Sequence, residues 1–240
     1  MNPAHFPNTV MNCAAAQCGI RHQLRGPNIT VTGGRSSALL ALNYARRLLR
    51  AGRAEAVLCG AAEEFSVARA WLENRAARNR PADAARLGEG CAMLLLEPSD
   101  RAGRHGRAEL AEVLALELRV FDLLSDLPAV LGDCLRRLLA AAGESPAGIW
   151  AVASAHDPEL AGAEPDRVLA EILGRCPPVR LPMVELIGDT HSASAAFGLA
   201  AVLALAAQEP GAAGRTALVT SLDRDGTVGA ALLRLAGVTP

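Results

Sequence analysis

A layered α/β fold is predicted for this 240-residue chain by three features: short apolar runs of strand length, helical repeats that alternate with them, and a hydrophobic content of 51% that can fill the space between layers. After a loop-like start, Asn28 to Thr32 gathers β-branched residues and predicts a strand, Gly33-Gly34 predicts a tight turn, and a helix follows from Ser36 and Ser37 through Leu49. Ala38, Leu39, Leu42, Ala45 and Leu49 recur at helical spacing while Leu40, Tyr44 and Leu48 fill the remaining angle, so this helix is expected to lie buried between layers. Ala56 to Ala61 reads as a short strand of small residues. Cys91 to Leu96 reads as a continuous apolar strand, buried on both faces of an interior sheet. Between them Arg75 to Arg86, with Pro81, reads as an exposed connection.

The second half repeats the alternation: a helix from Leu127 to Ala142, a strand from Ile149 to Ser154, a helix from Asp166 to Leu173, a helix from Ser192 to Ala207, and strands Thr216 to Thr220 and Val228 to Leu233. Asp225-Gly226 predicts the turn that leads into the last strand.

Composition removes several function classes. A formal charge of -1 supplies no basic field for a phosphate backbone, so no nucleic-acid partner is expected. All 24 basic residues are Arg, which removes the P-loop lysine and Schiff-base chemistry, and Gly33-Gly34 therefore reads as turn chemistry rather than a phosphate cradle. Cys13, Cys18, Cys59, Cys91, Cys134 and Cys176 form no CxxC pair and follow no secretory signal. They are expected to be free cytosolic thiols packed as small hydrophobes, with no metal and no cofactor. The longest apolar run, Ala193 to Ala207, is shorter than the roughly 20 residues that span a bilayer, so it is expected to be a core helix and no membrane partner is expected. His5, His22 and His105 have no partner at suggestive spacing and read as surface or loop residues.

The stretch Phe6-Pro7-Asn8-Thr9-Val10-Met11-Asn12 followed by Leu24 to Val31 resembles the β-ketoacyl synthases of type II fatty-acid and polyketide systems. The resemblance continues through Arg50 to Gly60 and Leu87-Gly88-Glu89-Gly90, and it ends in Ser221 to Ala230, similar to the family's glycine-rich closing loop. It implies a thiolase-like αβαβα fold with residues 1–126 as a remnant of the N-terminal half, whose first strands are missing, and 127–240 as the C-terminal half, the two forming one compact unit. The connection Asp122 to Leu127 is shorter than the family's. The resemblance further implies that Ile29, Thr30, Val31 and Thr32 form a strand pairing across a dimer axis.

In the family a cysteine opens the helix after that strand, where unpaired backbone N–H groups stabilise a thiolate and an oxyanion. The matching position is Arg35, and a guanidinium cannot attack a thioester. Of the family's two histidines, the first matches His156. The second matches Asp189, or His191 on a two-residue slip, and the motif lysine matches Val184. A carboxylate at Asp189 would oppose a developing enolate rather than stabilise it. The pattern is similar to the family's chain length factors, which lack the nucleophile. It implies a cytoplasmic, non-catalytic subunit that forms a heterodimer with an active ketosynthase, meets an acyl carrier protein through that complex, and shapes the acyl pocket.

Two readings stay open beside this one. Arg35 either closes the abandoned pocket or is drift at a site free of selection, and in both cases it is expected to reach solvent or to have an acidic partner such as Asp189. His156 is either a relic held by local hydrogen bonds or, with Ser36 or Ser37 and Asp189, part of a triad for acyl-thioester hydrolysis or transfer. Against the triad, a serine that opens a helix after glycine is ordinary capping, and no GxSxG elbow is present.

Overall fold

The computed structural model describes residues 10–76, 86–174 and 178–237. His5, Phe6 to Thr9, Pro81 with most of the expected exposed connection, and Cys176 lie outside the described residues.

In chain order the elements are α1 (Cys13–Arg21), α2 (Ser37–Arg50), β1 (Val57–Glu63), α3 (Val67–Ala76), β2 (Gly90–Leu96), α4 (Ser99–Arg104), β3 (Ala111–Val120), α5 (Leu127–Ala142), β4 (Ile149–His156), α6 (Pro165–Leu173), β5 (Val179–Pro182), α7 (Met183–Ile187), α8 (Ser194–Gln208), β6 (Thr216–Asp223) and β7 (Thr227–Leu235). Five strands form one sheet in the order β3-β7-β6-β4-β5, and β1 pairs with β2 as a separate antiparallel pair. Within the larger sheet β4 runs parallel to β5 and β6, whereas β7 is antiparallel to β3 and β6. The β6–β7 hairpin closes at the expected turn, where Gly226 takes φ 94° and donates to Asp223 O at 3.1 Å.

Helices cover both faces of the five-stranded sheet. On one face Ala151, Ala153, Ala155, Ala217 and Val219 are small, which lets α2 and α8 approach through Leu39, Leu42, Ala195 and Leu199. Gly198 of α8 sits so close that an added Cβ would lie 3.1 Å from Val219 Cγ1. On the other face Val152, Leu218, Leu222 and Leu232 meet Leu131, Leu135 and Leu138 of α5 and Leu169 of α6. Each such leucine contributes about 1.5–3 kcal/mol relative to exposure.

Several expectations are corrected here. Asn28 to Thr32 forms no strand within this chain: it has no ladder partner among the described residues, and Ile29 is 46% exposed. Strand β2 is not buried on both faces. Cys59, Ala92, Val57, Ala61, Leu94 and Leu96 pack toward the α2/α8 core, while Leu58, Met93 and Leu95, on the alternate positions, remain about half exposed, since no layer of the described residues covers that side. Helix α2 buries Ser37, Ala38, Leu39, Leu42 and Ala45, but Leu40, Tyr44 and Leu48 are only half-buried.

The apolar helix is longer than the apolar run: with its preceding 3-10 turn it spans His191–Gln208, 18 residues of mean hydropathy 1.3, which passes a bilayer test by length and composition. Its residues Ser194, Ala195, Ala196, Gly198, Leu199 and Val202 are buried against the rest of the chain. Of the described cysteines only Cys59 and Cys134 are buried, with thiols pushed up by burial to about 11 and about 12, while Cys18 and Cys91 are exposed. His22 and His105 are exposed, as read from the sequence.

Strand β3 escaped the sequence reading because the register of its pairing with β7 shifts between Val113 and Ala115, so its in–out alternation is interrupted. Its presence in the large sheet means that sheet membership changes between β2 and β3, ahead of residue 126.

Candidate functional site

The site lies at the start of α2. A 3-10 turn, Gly34–Ser36, leads into the helix, and Gly34 takes φ 53°, a left-handed conformation that glycine adopts without strain. Any Cβ at Gly34 would also overlap the Asp223 carboxylate. That carboxylate is held against the turn because Asp223 Oδ2 accepts from the Arg35 N–H at 2.7 Å, a favourable placement of negative charge at a helix start.

Arg35 then turns inward, with only 4% of its side chain exposed, and it meets three carboxylates. Nη2 donates to Asp189 Oδ2 at 2.6 Å, and Nη1 lies 3.5 Å from Asp157 Oδ2 and 3.9 Å from Asp223 Oδ2. Of the two outcomes expected for Arg35, solvent or an acidic partner, the second holds: the partners are Asp189 and two aspartates the sequence reading did not single out. Asp157 is shared with Arg224, whose Nε lies 3.7 Å away and whose Nη1 pairs with Glu159 at 2.6 Å.

Asp189 is positioned by its backbone. Its N–H donates to Arg86 O at 2.7 Å, and its carbonyl accepts from Gly88 N at 2.9 Å and from Arg69 Nη2 at 2.7 Å. The two segments cross so closely that a Cβ on Gly88 would lie 2.7 Å from Ile187 O, which explains the glycine in Leu87-Gly88-Glu89-Gly90. Asp189 Oδ1 accepts from His191 N at 2.9 Å, leaving Oδ2 for Arg35.

A second group of charges adjoins this one. His191 takes φ 39° and places Nδ1 3.5 Å from Glu63 Oε2 at the end of β1, and the Glu63 carboxylate raises its pKa. Burial pushes the Glu63 carboxyl up, but hydrogen bonds from His191 and Ser192 and the charge of Arg69 outweigh it and hold the group at about 2.

His156 is elsewhere. Along β4, Ala151, Ala153 and Ala155 belong to the α2/α8 core and Val152 to the α5/α6 core, so strand alternation turns His156 to the α5/α6 face and the next residue, Asp157, toward Arg35. His156 Nε2 hydrogen-bonds Thr220 Oγ1 at 2.8 Å, and burial lowers its pKa to about 4. Ser36 Oγ donates to Ser221 Oγ at 3.2 Å, while Ser37 Oγ donates to Gly34 O at 2.7 Å and accepts from Gly33 N at 3.0 Å. The triad of Ser36 or Ser37, His156 and Asp189 is therefore not assembled. Val184 is half-buried in α7, where its carbonyl accepts from Gly188 N at 2.9 Å.

Chemically, the helix start presents a guanidinium with no lone pair to donate, and the Asp189 carboxylate beside it already accepts hydrogen bonds. Among the described residues no group of His, Cys, Asp and Glu side chains is arranged to hold a metal ion. Asp157 and Asp223 were legible only as a face pattern: Asp157 continues the positions Ala151, Ala153 and Ala155 that face the α2/α8 core, and Asp223 opens the turn ending in Gly226.

Residues 1–102 match the model of the β-ketoacyl synthase N-terminal domain. The structure described as the ishigamide ketosynthase/chain length factor superposes with a TM-score of 0.87 at 43% identity, covering 99% of this chain and 65% of that one. The 3-oxoacyl-[acyl-carrier-protein] synthase 2 of Rhizobium meliloti (strain 1021) is 30% identical over 170 residues, 62% of this chain and 40% of that protein. A type II polyketide synthase ketosynthase, solved with its acyl-carrier protein and bound to the hexaketide, superposes with a TM-score of 0.79 over 98% of this chain and 69% of that one, and at 19% identity it speaks to the fold alone. The chain thus spans well under half the length of that curated synthase and about two thirds of these solved chains.

Proposed function

We propose that this chain, which has the thiolase-like fold and matches the β-ketoacyl synthase N-terminal domain over residues 1–102, belongs to that family and works as a chain-length-factor-type subunit: it forms no acyl-enzyme itself, pairs with an active ketosynthase, and shapes the pocket in which an acyl chain grows during polyketide or fatty-acid synthesis. The observation that carries this reading is Arg35, buried at the helix start that matches the family's nucleophile and ion-paired at 2.6 Å with Asp189, which matches a catalytic histidine on the unslipped register. Thioester exchange requires a nucleophile with an available electron pair, and the cation supplies none.

Association is favoured by surfaces that this chain leaves uncovered. Ile29 lies in a segment with no ladder partner among the described residues, and Leu58, Met93 and Leu95 project from one face of the β1–β2 pair. Unpaired backbone and apolar side chains of this kind are suited to a partner polypeptide. Residues Ile29, Thr30, Val31 and Thr32 are assigned to that interface, the acyl carrier protein reaches the complex through the ketosynthase, and the complex works in the cytoplasm.

The test is co-expression with a candidate ketosynthase, followed by incubation with acyl-carrier thioesters and intact-mass analysis. The expected result is a heteromeric complex in which the acyl group is found on the partner alone. An acyl adduct on this chain, with elongation in the absence of any companion, would overturn the reading.

A further inference from the structure

The four charges at the start of α2 come from distant parts of the chain. Arg35 precedes α2, Asp157 follows β4, Asp189 precedes α8, and Asp223 ends β6. The Arg35–Asp189 bond closes a separation of 154 residues, and the bond from Arg35 N–H to Asp223 closes one of 188. All four side chains are nearly inaccessible to solvent: Arg35 is 4% exposed, Asp157 1%, Asp189 7% and Asp223 2%. Three carboxylates brought together without water repel one another, and each depends on a nearby cation.

The cluster is also imperfectly satisfied. Arg35 Nε and Asp157 Oδ2 are buried with no hydrogen-bond partner among the described residues, and two of the three Arg35 ion pairs are long. Arg224 relieves Asp157 from the outside, but no other arginine pairs with Asp189 Oδ2 or Asp223 among the ion pairs of the described residues.

We propose that Arg35 is an electrostatic clamp: it fastens the segment entering α2 to three separate stretches of the five-stranded-sheet region, and the stability of this junction depends on charge matching among Arg35, Asp157, Asp189 and Asp223 rather than on any one of them. Removing the cation leaves buried carboxylates unpaired. Removing the carboxylates leaves a buried guanidinium unpaired. Removing both sides relieves both penalties, because a neutral cluster of similar volume costs no charge burial. The inference does not rest on the proposed function, since it concerns what holds the fold together whether or not a ketosynthase binds.

The test is a thermal-melting cycle on the 240-residue chain, in whatever assembly it purifies: Arg35→Met, the triple Asp157→Asn/Asp189→Asn/Asp223→Asn, and the quadruple that combines them. Arg35→Met is expected to lower Tm by about 10 °C, and the triple to lower it as well. The quadruple is expected to melt above both and within about 4 °C of the parent. If Arg35→Met yields no folded protein, recovery of folded quadruple at matched expression supports the clamp just as well. A quadruple no more stable or no better recovered than Arg35→Met, or an Arg35→Met variant that melts within about 2 °C of the parent, would overturn it.

Discussion

Strands β2 and β6 invert the usual relation between composition and burial. Strand β2, Gly90–Leu96, consists of glycine, cysteine and aliphatic residues, yet Met93 and Leu95 are about half exposed. Strand β6, Thr216–Asp223, carries two threonines, a serine and an aspartate, yet every residue in it is buried. The difference lies in what surrounds each strand. Strand β6 sits third of five in a sheet covered by α2 and α8 on one face and by α5 and α6 on the other, and its polar groups have partners: Thr220 binds His156, Ser221 binds Ser36, and Asp223 binds the start of α2. Among the described residues strand β2 has one neighbour and one covered face. Apolar composition therefore marks surface that needs covering, whereas burial requires layers to do the covering.

The contrast can be broken most sharply in the large sheet. Leu218→Ala in β6 removes a side chain packed among the α5 leucines and is expected to cost about 2–5 kcal/mol in urea denaturation. A loss below about 1 kcal/mol would mean that this core is looser than its burial indicates.

A smaller effect is expected from His156. Its unfolded-state value is the ordinary 6.5 and its folded value is lowered to about 4. A histidine that resists protonation in the fold contributes stability in full above pH 6.5, and that contribution is lost as the pH falls toward 4, because the unfolded chain takes up the proton first. The loss over this window is on the order of 3 kcal/mol, and His156→Gln, which removes the titrating group, should flatten that part of the stability–pH curve. An unchanged curve would place the acid sensitivity in another group.

The smallest effect on stability is expected in β2. Leu95→Lys on the uncovered side should shift the unfolding free energy of the isolated chain by less than about 0.5 kcal/mol. If the proposed function holds, the same change should weaken recovery of the chain with the ketosynthase proposed as its partner in a pull-down. A large destabilisation of the chain alone would show that this face is already covered.

Much of the fold was written in local pattern. The helix Leu127–Ala142 has the bounds expected from its apolar spacing, and the Asp225-Gly226 turn closes the hairpin it was expected to close, because both depend on residues near in sequence. Strand β3 was not legible, since a register shift interrupts its alternation, and the strand expected at Asn28 to Thr32 has no ladder partner among the described residues. For the site, the sequence placed a cation at Arg35 and offered Asp189 as one possible acidic partner, with solvent as the alternative. It also set His156 beside them as a candidate triad member, which strand alternation contradicts.

Sequence by itself thus determined the identity of the group at the helix start, its lack of a nucleophilic electron pair, and the elements whose hydrogen bonds close locally. Only the tertiary structure decided which residues surround that group. Asp157 and Asp223 lie more than a hundred residues from Arg35 along the chain, and they reach it because the pleat of β4 and the turn after β6 point those two carboxylates to the face where α2 begins.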